Sequence, residues 1–251
     1  MIEEGHYAKK QIFCKNQIIA WSHSSRFKTT QRLLEKYTTT DSKILDYGCG
    51  DGTFLRIISD LFSETVGTDI SLKQITDCQK RYSGVPKLSF CLTDDLNSEQ
   101  YHSYFDSAVC MEVLEHCLPN NLENVILDLK RVVKTNGLII ISVPIEIGAS
   151  LVLKQTIRSV AGLLRQGDYA KSIEPHTWVE FLNMVFATKS TSIERPIYGQ
   201  DSPYHGHKGF NWRSLRYELA KKLDIEQTFF SPLNWLGGFV SSQVFLICRN
   251  R

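Results

Sequence analysis

This sequence lacks any strong excess of charge. Lys and Arg number 29 against 27 Asp and Glu, a net charge of +2 over 251 residues. That balance gives no electrostatic footprint for a polyanion, so nucleic acid is not an expected partner. The seven cysteines contain no C-x-x-C pair and are odd in number. They support no disulfide framework. Cys91, Cys110 and Cys248 lie in apolar, strand-like runs and read as buried reduced thiols. No apolar stretch approaches the ~20 residues of a membrane span. The start, Met1-Ile2-Glu3-Glu4, is acidic and has no apolar signal core. The expectation is a cytoplasmic protein with no transmembrane segment. Repeats and low-complexity tracts are absent too, which excludes solenoids and linker-like chains.

What is present suffices for a core. Hydrophobic residues make up 42% and aromatic residues 11%, enough for one domain with an insertion. The chain is organised around residues 43–70. Ile44-Leu45 is a short apolar run closed by Asp46, followed by the turn Gly48-Cys49-Gly50-Asp51-Gly52. Thr53 opens a helical pattern with Phe54, Leu55, Ile57 and Ile58 apolar, and a second strand ends in Asp69. Strand, glycine turn, helix, strand and acid form half of a nucleotide-binding α/β unit. Glycine lets the turn bend sharply and a ligand touch main chain. The helix start leaves N–H groups beside that ligand. Asp69 can accept hydrogen bonds from both hydroxyls of a ribose. A dinucleotide fingerprint would need its third glycine at position 53, which is Thr53.

Further along, residues 17–37 read as a helix and Ser71 caps another through about Arg81. Residues 88–92 form a third strand ending at Thr93-Asp94-Asp95, and residues 105–111 form a fourth. Asn120 or Asn121 is expected to cap a helix to about Val133, ended by Thr135-Asn136-Gly137. Residues 138–143 form a fifth strand closed by Pro144. Residues 145–204 carry two helical patterns, one over 148–166 and one with Trp178, Phe181, Met184, Val185 and Phe186. A helix over 212–222 and strands over 223–230 and 239–248 finish the chain. Two strands so closely joined are antiparallel, unlike a dinucleotide-binding sheet.

The run D-Y-G-C-G-D-G from Asp46, the run E-V-L-E-H over Glu112–His116 and the K-x-x-G-x-(apolar)-S-V-P pattern from Lys134 to Pro144 carry a family resemblance. The chain resembles class I S-adenosylmethionine (SAM) methyltransferases, within them the quinone-biosynthesis O-methyltransferases. The resemblance is strong over residues 43–143 and moderate over 205–251. It implies an α/β Rossmann-like class I methyltransferase sheet, mostly parallel with an antiparallel last strand. Helices would flank both faces, with a helical insertion after the fifth strand. It implies three parts: a helical segment over 1–42 covering the cofactor site, a core of 43–144 and 205–251, and a substrate cover over 145–204. The cofactor implied is SAM. Its candidate contacts are Arg26, Asp46, Gly48, Gly50, Gly52, Asp69, Ile70, Asp94, Asp95, Met111 and Glu112. Arg26 belongs to a W…H…R segment whose arginine holds the SAM carboxylate, and Asp94, or its neighbour Asp95, would meet the adenine amino group. Either aspartate can instead cap its turn.

Three constellations bear on catalysis. A helix from Glu112 would put Glu112, Glu115 and His116 on one face. With His205 or His207 they form a candidate divalent-metal set, Glu112, Glu115, His116 and His205, against the reading that no metal is bound. Similar sets occur in the small-RNA terminal 2′-O-methyltransferases. His116 alone is the candidate catalytic base, since an imidazole titrates near neutral pH. His23, His116, His176, Trp178, His205 and His207 are candidate substrate contacts. The leading expectation is an EC 2.1.1.- enzyme that methylates a small molecule with a hydrophobic part, most readily on oxygen. The alternatives are a metal-dependent RNA 2′-O-methyltransferase and a non-catalytic SAM- or dinucleotide-binding module. A basic amphipathic helix in the insertion also leaves peripheral membrane contact open.

Overall fold

A computed structural model describes Gly5, residues 17–163 and residues 177–251. In chain order it contains α1 (Gln17–Tyr37), β1 (Lys43–Tyr47), α2 (Thr53–Ile58), β2 (Glu64–Asp69), α3 (Leu72–Arg81) and β3 (Leu88–Leu92). Next come β4 (Phe105–Met111), α4 (Pro119–Val132), β5 (Val133–Pro144), α5 (Ala149–Leu163) and α6 (Trp178–Val185). The chain ends with β6 (Ile197–Tyr198), β7 (Tyr204–His205), α7 (Trp212–Leu219), β8 (Asp224–Ser231) and β9 (Gln243–Arg249).

Seven strands form one sheet in the order β3-β2-β1-β4-β5-β9-β8. β1 to β5 pair in parallel, and β9 runs antiparallel to both of its neighbours. The chain winds outward from β1 to β3, then crosses back to place β4 on the other side of β1. That reversal opens a crevice above the carboxyl ends of β1 and β4.

The central strands are buried on both faces, and their period of two divides the core. Leu138 and Ile140 of β5, with Phe245 and Ile247 of β9, pack on the side of α1, α2 and α3. Ile139, Ile141 and Val143, with Val244 and Leu246, pack on the side of α4 and α7. A third, smaller cluster joins Ile147, Leu151, Met184 and Ala187, fastening α5 and α6 to Trp212.

Several boundaries differ from expectation. The segment Glu112–His116 is a turn, and α4 begins only at Pro119 with Leu118 as its N-cap. Proline at the first helical position needs no N–H, so it outcompetes either asparagine. β5 starts at Val133 rather than 138, with a register shift in its pairing to β4 between Phe105 and Ser107. Asn136, at φ 61, makes the local break that had suggested a helix end. The insertion is not wholly helical, because β6 and β7 pair as a small antiparallel ribbon before the chain returns to the sheet. All six described cysteines are unbonded. Among the described residues no helix is long and apolar enough to cross a membrane.

Candidate active site

The glycine turn hangs from β2. The amides of Gly48 and Cys49 both donate to Thr68 O at 2.8 Å. Gly48 has φ +81, and a Cβ there would lie 2.3 Å from Val113 Cγ2. Gly50 has φ +55, and its missing Cβ would meet nothing within 4 Å, so its face is bare main chain. The Gly50 amide donates to Asp69 Oδ2 at 3.1 Å, and Ser71 donates to Asp69 Oδ1 at 2.9 Å. Asp69 is thereby fixed as a carboxylate at the strand end, and each oxygen retains a lone pair for a diol. Ile70 beside it is 80% exposed, an apolar surface with no protein cover.

Asp46 lies beneath this turn, 2% exposed, and its Oδ1 has no hydrogen-bond partner. Burial pushes its carboxyl up to about 7; the Arg26 guanidinium pulls against that and Asp69 adds to it. Buried polar atoms are normally satisfied, so an orphaned acceptor beside bare main chain fits a ligand that brings a donor.

Arg26 reaches the same crevice from α1. Its Nη1 lies 3.3 Å from Glu112 Oε2. Glu112 has φ 57, a left-handed conformation rare for a bulky residue. That backbone turn swings its carboxylate toward α1, where Gln243 Nε2 also donates to Oε1 at 3.4 Å. Burial raises the Glu112 carboxyl, with Arg26 opposing. Arg26 is therefore in the crevice as expected, with a protein carboxylate already against it. Met111 at the end of β4 accepts from Thr30 Oγ1 at 3.2 Å, which pins α1 across the strand ends. Of the two aspartates after β3, Asp95 caps its own turn through Leu92 N at 2.9 Å. Asp94 is exposed and has no partner among the described residues.

The turn separates the three acidic and imidazole groups that a helix would have aligned. Glu112 points to Arg26, whereas Glu115 and His116 face the return segment. His116 Nδ1 lies 2.8 Å from the carbonyl oxygen of His205. A carbonyl only accepts, so Nδ1 carries the proton, and in the neutral ring Nε2 presents a lone pair. Nε2 is 3.8 Å from Glu115 Oε1, and His207 Nδ1 is 3.9 Å from the same oxygen. The Glu115 side chain is completely buried, and neither oxygen has a hydrogen-bond partner. Burial, then Glu112, raises its carboxyl well above the usual range. His207, half open to water, is pushed down to about 4, first by desolvation and then by His116.

Ligand atoms of Glu115, His116 and His207 lie within 4.8 Å of one another. This is the set a divalent cation would find, and it replaces the one expected. Glu112 is engaged by Arg26, and His205 turns its Nδ1 to Pro196 O at 3.1 Å. Trp178 stands 82% exposed on α6, edge-on to Phe181 at 6.4 Å. His176 and the side chain of His23 lie outside the described residues.

Sequence reasoning missed four residues. Tyr204 sits edge-on to His116 at 6.2 Å, and Tyr198 lies 5.9 Å beyond it. Lys154 of α5 pairs with Glu146 at 2.8 Å. Arg195 donates through Nη2 to Glu115 O, and to Gly206 O at 2.7 Å. No sequence signal marked Arg195, which stands between Glu194 and Pro196.

The switch-point crevice, the glycine turn and the acid at the end of β2, under a sheet with an antiparallel β9, define a class I methyltransferase domain. Residues 45–141 match the family described as "Methyltransferase domain". The chain is 30% identical over 190 residues to the mitochondrial ubiquinone biosynthesis O-methyltransferase of Rattus norvegicus, covering 70% of this chain and 52% of that protein. It thus spans about half the length of that curated relative. Among solved structures, the PH0226 protein of Pyrococcus horikoshii OT3 superposes with a TM-score of 0.60 at 18% identity, covering 99% of this chain and 100% of that one. The methyltransferase domain of bacterial CtHen1-C superposes at 0.58 with 14% identity, covering 90% and 97%. Magnesium protoporphyrin IX methyltransferase from Synechocystis PCC 6803, solved with bound SAH, superposes at 0.55 with 14% identity, covering 99% and 90%. The chain carries a class I SAM-dependent methyltransferase domain, and within that class it resembles the ubiquinone-biosynthesis O-methyltransferase group. The cofactor of this domain is SAM, and the open face of Gly50, the outward lone pairs of Asp69 and the orphaned Asp46 Oδ1 fit it.

Proposed function

We propose that this protein methylates an oxygen of a small molecule with a hydrophobic part, with His116 as general base. The observation that carries the proposal is the hydrogen bond from His116 Nδ1 to His205 O, which fixes the tautomer that leaves Nε2 able to take a proton. The cofactor, when bound, supplies an activated methyl group on a positively charged sulfur. The chain's own work is placement. Asp69 holds the ribose hydroxyls, the Gly48–Gly52 turn offers main chain, and Arg26 provides the cation for the carboxylate. Orientation of this kind can lower a barrier by about 7–11 kcal/mol in favourable cases. His116 accepts the hydroxyl proton at Nε2, with the Glu115 carboxyl, raised by burial, 3.8 Å from that nitrogen.

Tyr204 and Tyr198 form an aromatic wall leading away from His116. That wall supports an acceptor with an apolar or ring-shaped portion. The insertion, fastened by the cluster around Ile147, Leu151 and Met184, serves as the cover that excludes water. The relative's printed name, a ubiquinone biosynthesis O-methyltransferase, agrees with transfer to oxygen. The test is incubation with isotopically methyl-labelled SAM and a panel of phenols, catechols and lipid-linked hydroxyls, read by mass spectrometry. Label should appear on an acceptor oxygen. Calorimetric SAM binding with no transfer to any hydroxyl would leave the non-catalytic module instead.

One observation favours a second arrangement of the same site. The buried Glu115 carboxylate has two unsatisfied oxygens beside two imidazoles, which is a fitting donor set for a divalent cation. In that arrangement Glu115, His116 and His207 would hold the ion, which would supply Lewis-acid polarisation of an acceptor hydroxyl.

A further inference from the structure

Arg195 lies near the end of the inserted segment, outside every motif of the methyltransferase core. Its guanidinium nonetheless meets both pieces of chain that carry the imidazoles. Nη2 donates to the carbonyl of Glu115, in the turn, and to the carbonyl of Gly206, in the return segment, at 2.7 Å. Between these two carbonyls lies the pairing of His116 with His205. The amide of His205 donates to His116 O at 3.0 Å, and His116 Nδ1 donates back to His205 O at 2.8 Å. One side chain therefore spans the turn and the return segment, whose separation sets the imidazole's hydrogen bond.

Arg195 is itself held in place. Its guanidinium lies 5.1 Å from the Phe210 ring centroid, a cation–π arrangement. Gly209, at φ +74, makes the room, since a Cβ there would fall 2.7 Å from Ile193 Cγ2 and 3.3 Å from Arg195 Cγ. Burial lowers its pKa to about 10, with Glu115 acting in the opposite sense, so it stays cationic at neutral pH. Arg195 also borders a cavity of about 330 Å³, lined with it by Leu114, Cys117, Leu122, Ile193, Phe210 and Leu215.

We infer that Arg195 is a positioning residue for the transfer reaction, setting the tautomer and orientation of His116 by clamping the carbonyls of Glu115 and Gly206. It touches neither cofactor nor acceptor; it acts through the turn. It also gives the insertion a second role, because the segment that covers the acceptor then aligns the base as well. This rests on His116 being the base, but its structural half does not.

The test is the ring-nitrogen spectrum of His116 in uniformly 15N-labelled protein, assigned by comparison with His116→Gln. The wild type should show a protonated Nδ1 and an unprotonated Nε2 in the neutral ring. Arg195→Met keeps the length and loses the donors. It should move the two nitrogens toward averaged values, leave calorimetric SAM affinity within about twofold, and lower turnover about 10- to 100-fold, as expected for a misplaced group. Arg195→Lys, which can reach one carbonyl, should recover part of the shift. Wild-type ring shifts in Arg195→Met would overturn the inference, whatever its activity. If Arg195→Met fails to fold, Arg195→Lys and Gly209→Ala decide: displaced ring shifts in both uphold the clamp, and unchanged shifts in either reject it. A tautomer change with no methyl transfer by the wild type would refute the function proposed above and leave the clamp standing.

Discussion

His116 and His205 grip each other from both sides: amide to carbonyl at 3.0 Å, and imidazole Nδ1 to carbonyl at 2.8 Å. The exchange resembles one rung of a β ladder in which a side chain replaces one amide. It fixes which ring nitrogen bears the proton, and so which one can receive another. His116→Ala should cut turnover by about 10²- to 10⁴-fold, the usual worth of a general base. SAM affinity should be retained, because the contacts proposed for the ribose and main chain, Asp69 and the Gly48–Gly52 turn, belong to other elements. Steady-state kinetics with the acceptor found above, beside calorimetry, checks both halves. An equal loss in binding and turnover would show His116 to be structural.

Asp69 is oriented by two amides, Gly50 at 3.1 Å and Ser71 at 2.9 Å. Asp69→Ala removes the diol acceptor and also leaves both amides without their partner. A loss of about 2–4 kcal/mol in SAM binding is expected, from charge-assisted bonds worth about 1.5–3 kcal/mol each with partial replacement by water. Asp69→Asn should fall between, since it keeps one acceptor oxygen. Calorimetry with SAM and with its demethylated product measures this; unchanged affinity in Asp69→Ala would remove the ribose assignment.

The parts legible in the sequence were those set by neighbours along the chain. The glycine turn, Asp69 and the parallel strands follow from residues within a few positions of one another, and the structure has them so. The antiparallel pairing of β8 and β9 was legible from their close spacing alone. The Glu112–His116 turn was not. Helical spacing from Glu112 to His116 suggested one face, but a left-handed Glu112 stops the helix before it can start. That conformation is held by its amide donating to Ser142 O and by the ion pair with Arg26, both contacts with distant chain. His207 rather than His205 joins the cluster for a similar reason. β7 alternates its side chains, and its pairing with β6 turns His205 Nδ1 to Pro196 O. Arg195 was invisible because it works on two carbonyls, which every sequence has everywhere.

Asp46 makes the cofactor site a cost to the empty protein. Its carboxyl titrates at about 7 in the fold against about 3.8 when exposed. Between those values the folded chain keeps a proton that the unfolded chain has lost. Stability is therefore highest below about pH 4 as far as this group is concerned, declines as pH rises to about 7, and stays low above it. Asp46→Asn should remove that decline and stabilise the cofactor-free protein at pH 8 by ~2–4 kcal/mol. It should also weaken SAM binding. Urea unfolding at pH 5 and pH 8 gives the difference directly. A variant no more stable than wild type at pH 8 would mean that Asp46 is already satisfied in solution.

The Glu115, His116 and His207 cluster makes the metal-bound arrangement testable without knowing the acceptor. Co²⁺ is a suitable probe, since its visible spectrum reports nitrogen and oxygen ligation. Binding requires Glu115 to be ionised, which burial opposes by raising its carboxyl, whereas His207, titrating at about 4, is neutral. Affinity should therefore rise with pH above the ordinary carboxylate range, with Glu115 rather than His207 as the group that responds. Glu115→Gln and His207→Ala should each weaken saturable Co²⁺ binding at least tenfold, and Glu112→Gln should leave it nearly intact, because Glu112 faces Arg26. If Co²⁺ binds and a chelator abolishes methyl transfer, the ion works with His116 as its ligand, and His116 is then not the base. If binding is absent or insensitive to Glu115→Gln, His116 acts by itself, and the buried carboxyl serves only to keep its surroundings neutral.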